Sequence, residues 1–235
     1  MSQLSGGDAA LLNHVQPDGK IYGYVNTCGC RTYRMTHNSP NLAQVPGAAK
    51  PYGLEFRALF KAPSGKKIVG IDASNLEGLF KGHYLQPYDD GAFLDMVLND
   101  GDLHSRNAEI LDLTRTKAKT WYYAWVFGAS AAKLATITGR SKAVEQRFKD
   151  KFLASWPELA ALLAGLEAAW KERGYLIGLD GRRLENESAH TLLNTVCQSA
   201  GAILMKKALV EFNKRLTENY ATSKWEFILN VHDEW

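Results

Sequence analysis

The chain has 235 residues, 46% hydrophobic and 23% charged, with a mean hydropathy of −0.26, so it can bury a core and lies outside the compositional range of disordered chains. Lys and Arg number 28 against 25 Asp and Glu, a formal charge of +3, which excludes a histone-like protein and leaves any nucleic-acid contact to local placement of charge. No apolar run reaches the ~18 to 20 residues that span a bilayer, and the first residues lack a basic start followed by an apolar stretch, so a soluble, cytoplasmic protein with no membrane partner is expected.

The three cysteines, Cys28, Cys30 and Cys197, do not make a disulfide framework or a four-ligand zinc site, and free thiols are expected. No repeat is present, and the one loose region is the Gly- and Pro-punctuated stretch from Thr27 to Tyr52. After a basic turn at Pro63-Ser64-Gly65, Lys67 to Ile71 (KIVGI) reads as a short strand with Asp72 at its carboxyl end. Ser74 is placed to cap a helix from about Leu76 to Leu85, and a helical section runs from about Gly91 to Arg173. Within it Thr114 and Gly128 bracket a helix over Arg115 to Phe127, and Pro157 and Gly174 bracket another. A turn at Asp180-Gly181 leads to Ser188, the expected N-cap of a long helix ending near Asn219. Last comes Trp225 to Val231, a β-rich run that ends in His232-Asp233-Glu234-Trp235. Strand, many helices, strand predicts an α+β fold with the helices inserted between two paired strands.

Four groups of residues could carry chemistry. Asp72 and Asp233 each end an apolar strand, with Glu77 and Glu234 nearby; as neighbours at one sheet edge they would offer the carboxylate oxygens that Mg²⁺ prefers, and two ions ~3.5–4 Å apart can clamp a phosphoryl transfer. Acids at strand ends are also ordinary solvated turn residues. Arg115, Lys119, Tyr123 and Phe127 recur every fourth residue and share one helix face, two cations followed by two rings. Such a face can hold a triphosphate and stack a base, and cations at a helix N-terminus oppose the dipole unless an anion arrives; the alternative is an amphipathic helix with a solvated basic turn. His104 could donate to a phosphate or be a structural histidine. Asn194 and Gln198 lie one turn apart ahead of the small residues Ser199-Ala200-Gly201, which would let another backbone or a duplex approach, and amides can contact a minor groove without choosing a sequence; they are equally compatible with a half-exposed helix.

In order along the chain, DGKIYGYVN, THNSPNLAQVPG, IDASNLEGLFKGHYL, NDGDLHSRN, RTKAKTWYYAWVFGAS, GLDGRR, LLNTVCQSAGA and VHDEW resemble the family A DNA polymerases, the DNA polymerase I type, and among them the replicative enzymes of short-tailed phages. The resemblance covers residues 8 to 235. It implies that Asp72 and Asp233 hold two Mg²⁺ ions beside Glu234, and that Glu77 closes off the sugar 2′ position against ribonucleotides. It further implies that His104, Arg115 and Lys119 grip the triphosphate of an incoming deoxynucleotide (dNTP), that Tyr123 lies beside the sugar 3′ carbon, and that Arg34, Phe127, Arg182, Asn194, Gln198 and His232 follow primer–template DNA. The implied activity is template-directed DNA synthesis, in which the primer 3′ hydroxyl attacks the α-phosphate in line. A processivity factor is a further partner of such enzymes.

The same resemblance divides the chain into a thumb remnant (1–18), a first part of the palm (19–85), fingers (86–187) and a second part of the palm (188–235). Tyr33 stands where the family has Gly, Gly78-Leu79 where it has Leu-Arg, Phe127 where it has Tyr, and Trp235 where a small aliphatic residue is usual. The chain is expected to be a fragment divided at its acidic turn, needing a complementing C-terminal segment; the alternatives are a catalytically inactive DNA- or nucleotide-binding fragment and a metal-dependent phosphohydrolase.

Overall fold

The computed structural model describes Gly6, residues 10–99 and residues 101–235; part of the expected thumb remnant, residues 1–5 and 7–9, lies outside the described residues. The fold is α+β, and the chain divides into two compact units, Met1–Ser74 with Leu204–Trp235, and Asn75–Ile203.

In the first unit the loose stretch is more ordered than its composition suggests. β1 (Tyr24–Asn26) and β2 (Thr36–Asn38) form an antiparallel hairpin with Val25 opposite His37. Gly29 is required in the connecting loop because a Cβ there would stand 1.8 Å from the Thr36 hydroxyl oxygen. The Asn41 side chain accepts from the Ala43 amide and starts a 3₁₀ turn over Leu42–Gln44, and α1 (Gly53–Arg57) follows.

The two expected strands do not form ladders. Residues 71–73 pair with 233–235 through Ile71 N to Trp235 O and Trp235 N to Ile71 O, both 2.8 Å, and Ala73 N to Asp233 O at 2.9 Å. That leaves one isolated bridge, Asp72 opposite Glu234. The apolar run KIVGI meets its partner only at its end, so Ile68 and Val69 stay 52% and 70% exposed. Trp225–Val231 likewise contributes a single bridge, Val231 to Glu234, after a 3₁₀ turn at Thr222–Lys224. The pairing topology survives, because the helices do lie between the two paired segments. Trp235 stacks on Phe212, ring centres 5.6 Å apart at 15°, which accounts for an aromatic side chain at that position.

The second unit is helical: α2 (Leu76–Asp89), α3 (Ala92–Leu98), α4 (Leu103–Leu111), α5 (Arg115–Val126), α6 (Ala131–Thr138), α7 (Lys142–Ala154) and α8 (Pro157–Arg173). α9 (Leu192–Asn219) gives its residues up to Ile203 to this unit and the rest to the first. Helix starts follow side-chain capping: Asp102, Thr114, Ser130 and Ser141 each accept from an amide in the first turn, replacing one of the bonds a helix end lacks. Pro157 opens α8, and Gly174 at φ 78° ends it. Ser74 is not the cap of α2. Asn75 holds that place at φ 52° without a side-chain bond, and the helix runs four residues beyond the expected end at Leu85, through Pro87. Ser188 precedes a 3₁₀ turn over Ala189–Thr191, and its hydroxyl bonds the His190 ring rather than an amide. The Asp180-Gly181 turn closes an unanticipated hairpin of β3 (Tyr175–Ile177) and β4 (Arg183–Glu185).

Trp121 centres the core of this unit. It is fully buried, its indole N–H donates to the buried Glu145 carboxylate at 2.8 Å, and Phe152 meets its ring edge-on at 5.3 Å. Glu145 also accepts from Thr138 at 2.6 Å, so the carboxylate is satisfied despite its burial. Trp121→Ala should cost about 3–5 kcal/mol through the cavity and the orphaned carboxylate oxygen, read as a lowered denaturation midpoint.

Candidate active site

The chemistry-bearing residues form two clusters, one in each unit. In the first, Val231 and Glu234 exchange both backbone bonds, Val231 N to Glu234 O at 2.8 Å and the reverse at 2.9 Å, so His232 and Asp233 are the two central residues of a tight turn. His232 takes φ 58°, a left-handed value that costs a non-glycine residue strain. Residues 71 and 235 form the hydrogen-bonded pair, so Asp72 and Glu234 are the adjacent non-hydrogen-bonded pair, whose side chains approach most closely and share one face. The Glu234 carboxylate follows that register: it lies 3.5 Å from where a Cβ on Gly70 would be. Asp233 is one step along, its carbonyl bound to Ala73 N at 2.9 Å.

The turn has basic neighbours. Burial pushes the His232 ring down, and the Arg34 guanidinium adds to that shift while Asp233 opposes it. Tyr33, just before Arg34, sits at φ 60°, and Lys206 donates to its carbonyl at 2.6 Å. A turn that would suit glycine is thus kept with a tyrosine, pinned by a lysine.

The second cluster is built on α4 and α5. Ala118, Trp121, Tyr122 and Val126 are the buried side of α5, whereas Arg115, Lys119 and Phe127 are exposed and Tyr123 half-buried. The Arg115 Nε donates to both oxygens of Asp102, at 2.9 and 3.2 Å. Asp102 also accepts from the Ser105 amide and hydroxyl, and these bonds hold its carboxyl far below the usual carboxylate range. His104, two residues on, places its ring 5.7 Å from Tyr123 and 6.1 Å from Tyr122. Its Nδ1 is buried without a partner among the described residues. Burial lowers the His104 pKa, and Lys119 and Arg115 lower it further, so the ring is neutral near pH 7 and its neighbours carry the positive charge.

Residues 7–235 match the family described as DNA polymerase family A. The chain belongs to that family. It is 37% identical over 262 aligned positions to the DNA-directed DNA polymerase of Escherichia phage T7, a match covering 100% of this chain and 37% of the relative, and the polymerase of Enterobacteria phage T3 matches equally. DNA polymerase I of Bacillus subtilis is 26% identical over 248 positions, covering 95% of this chain and 27% of the relative. The POL domain of Pol1 from M. smegmatis, solved in complex with DNA primer-template and dNTP, shares the fold at TM-score 0.78 and 21% identity, over 95% of this chain and 42% of that one. The family A chain thus spans a little over a third of the length of its phage relatives.

Within this family A chain, the backbones of Asp72, Asp233 and Glu234 come together in the first unit, and Arg34 and Asp233 lie near the His232 ring. His104, Arg115, Lys119 and Tyr123 come together in the second. Glu77 lies in the first turn of α2, and Asn194 and Gln198 are half-buried on α9. Arg182 is held by Asp180 in the β3–β4 turn, Nε to Oδ2 at 2.7 Å. Phe127 caps α5 rather than lying inside it. The small residues Ser199, Ala200 and Gly201 serve helix packing: the first two are fully buried, and a Cβ on Gly201 would meet Leu76 of α2 at 3.1 Å. Two further residues touch the α4–α5 cluster. Asp102, the clamp on Arg115, was signalled by its capping position before LHSRN, and Lys81, a buried cation, by its place one turn after Glu77.

Proposed function

We propose that this chain is the nucleotidyl-transfer part of a template-directed DNA polymerase, with primer–template DNA and dNTPs as partners. The observation that carries the proposal is the Asp72–Glu234 register with Asp233 beside it. Asp72 and Asp233 would hold two Mg²⁺ ions. Such ions bind through one or two carboxylates plus substrate phosphates, so the protein's own share of the ligands is small; among the described residues no group of three metal-ligating side chains is gathered. When bound they would supply charge at the attacking and leaving oxygens. Arg115 and Lys119 bind and orient the triphosphate, and His104 donates a neutral hydrogen bond to it. Glu77 blocks a 2′ hydroxyl, and Arg34, His232, Asn194, Gln198, Arg182 and Phe127 position the DNA.

In this reading residues 19–85 and 188–235 are palm and 86–187 fingers, and a processivity factor is a further partner. A complementing C-terminal segment covers the strand ends beside the acidic turn. The exposed apolar side chains of Ile68, Val69 and Ile228 support that last element, since such a run gains from a covering strand. Primer extension with and without a complementing segment tests the function: template-dependent extension is expected in the complemented mixture, and its absence under every complementation leaves a binding fragment. Because Tyr123 places a hydroxyl beside the sugar, the complemented enzyme should use dideoxynucleotides within about tenfold of deoxynucleotides, and Tyr123→Phe should lower dideoxynucleotide use.

A further inference from the structure

Lys81 is 2% exposed in the interior of the second unit. Its ammonium donates to the Tyr122 hydroxyl at 3.0 Å and lies 4.4 Å from the centre of the Tyr122 ring and 6.0 Å from that of Tyr123. No carboxylate among the described residues forms an ion pair with it. Burial pushes the Cys197 thiol up to about 12, and the Lys81 charge acts against that rise. Burial works against the Lys81 cation, while Tyr122 first, then Cys197 and Glu77, act the other way and leave its pKa above the ordinary lysine value.

An apolar side chain of similar length would serve packing better than a desolvated ammonium. The place of this charge suggests what it does. Glu77 is one turn earlier on α2, and the Tyr123 and His104 rings both lie about Tyr122, with centres 5.9 and 6.1 Å from its own. Lys81 thus sits among the residues assigned to the sugar and triphosphate. We infer that Lys81 is a positioning residue of the nucleotide pocket, a buried ammonium that fixes Tyr122 and Tyr123 behind the sugar and draws the nucleoside triphosphate inward. The inference rests on the nucleotide reading of the α5 face.

Calorimetric titration of the full chain with dATP and Mg²⁺ separates the two. Lys81→Met should weaken dATP binding about tenfold, with primer–template binding unchanged and the melting temperature equal or higher. Lys81→Met/Tyr122→Phe, which replaces the polar pair by apolar groups of nearly the same shape, should pack well and bind dATP just as weakly. Native-like dATP affinity in either variant, with Arg115→Ala weakened, assigns Lys81 to structure alone and overturns the inference. If Arg115→Ala binds dATP like the unaltered chain, or the unaltered chain does not bind it, the nucleotide reading fails and this inference with it.

Discussion

Asp72→Asn or Asp233→Asn should reduce primer extension by the complemented enzyme on the order of a thousandfold while leaving the fold intact. Asparagine keeps the shape of aspartate and removes the charge that a hard cation requires. The turn is held by main-chain bonds, Val231 with Glu234, Ala73 with Asp233 and Ile71 with Trp235, and none of these uses an aspartate side chain. Loss of activity at unchanged melting temperature therefore reports chemistry rather than unfolding. Extension within tenfold of the unaltered enzyme in both variants would remove the acidic turn from the mechanism.

Lys119→Ala and Arg115→Ala should raise the KM for dNTPs about 10- to 100-fold, the equivalent of one lost charge-assisted bond, with little change in primer–template affinity. Both residues are exposed on the first two turns of α5, where a cation opposes the helix dipole, so their removal should leave stability the same or slightly improved. The Arg115–Asp102 pair is exposed, with side chains 58% and 46% accessible, and contributes little to folding. Its Nε faces Asp102, which leaves the terminal amino groups of the guanidinium to reach a phosphate. Equal losses of nucleotide and duplex binding would contradict the assignment.

The α5 face was legible because it needs only a cap at Thr114, a stop at Gly128 and a four-residue recurrence of cations and rings, all local properties. The strands were not. Their residue types were read correctly as β-formers, but a ladder depends on how many partner residues lie opposite, and here only 233–235 do. The β1–β2 and β3–β4 hairpins were missed because each strand has three residues, too short for an alternating pattern. Ser199-Ala200-Gly201 looked like a surface for close approach and is one, with α2 as the approaching element. Nothing local marks Lys81 as a buried cation, because its meaning lies in burial against Tyr122, a residue 41 positions away.

Setting Asp72 across from Glu234 places like charges on facing strand ends, and their mutual repulsion opposes the pairing that holds them there. The anionic density that would attract a divalent ion is thus the same density that loosens the final residues. An ion that binds the closed turn and not the open one pulls it shut by mass action. In the proposed reading, filling the site and zipping up residues 233–235 would then be a single equilibrium.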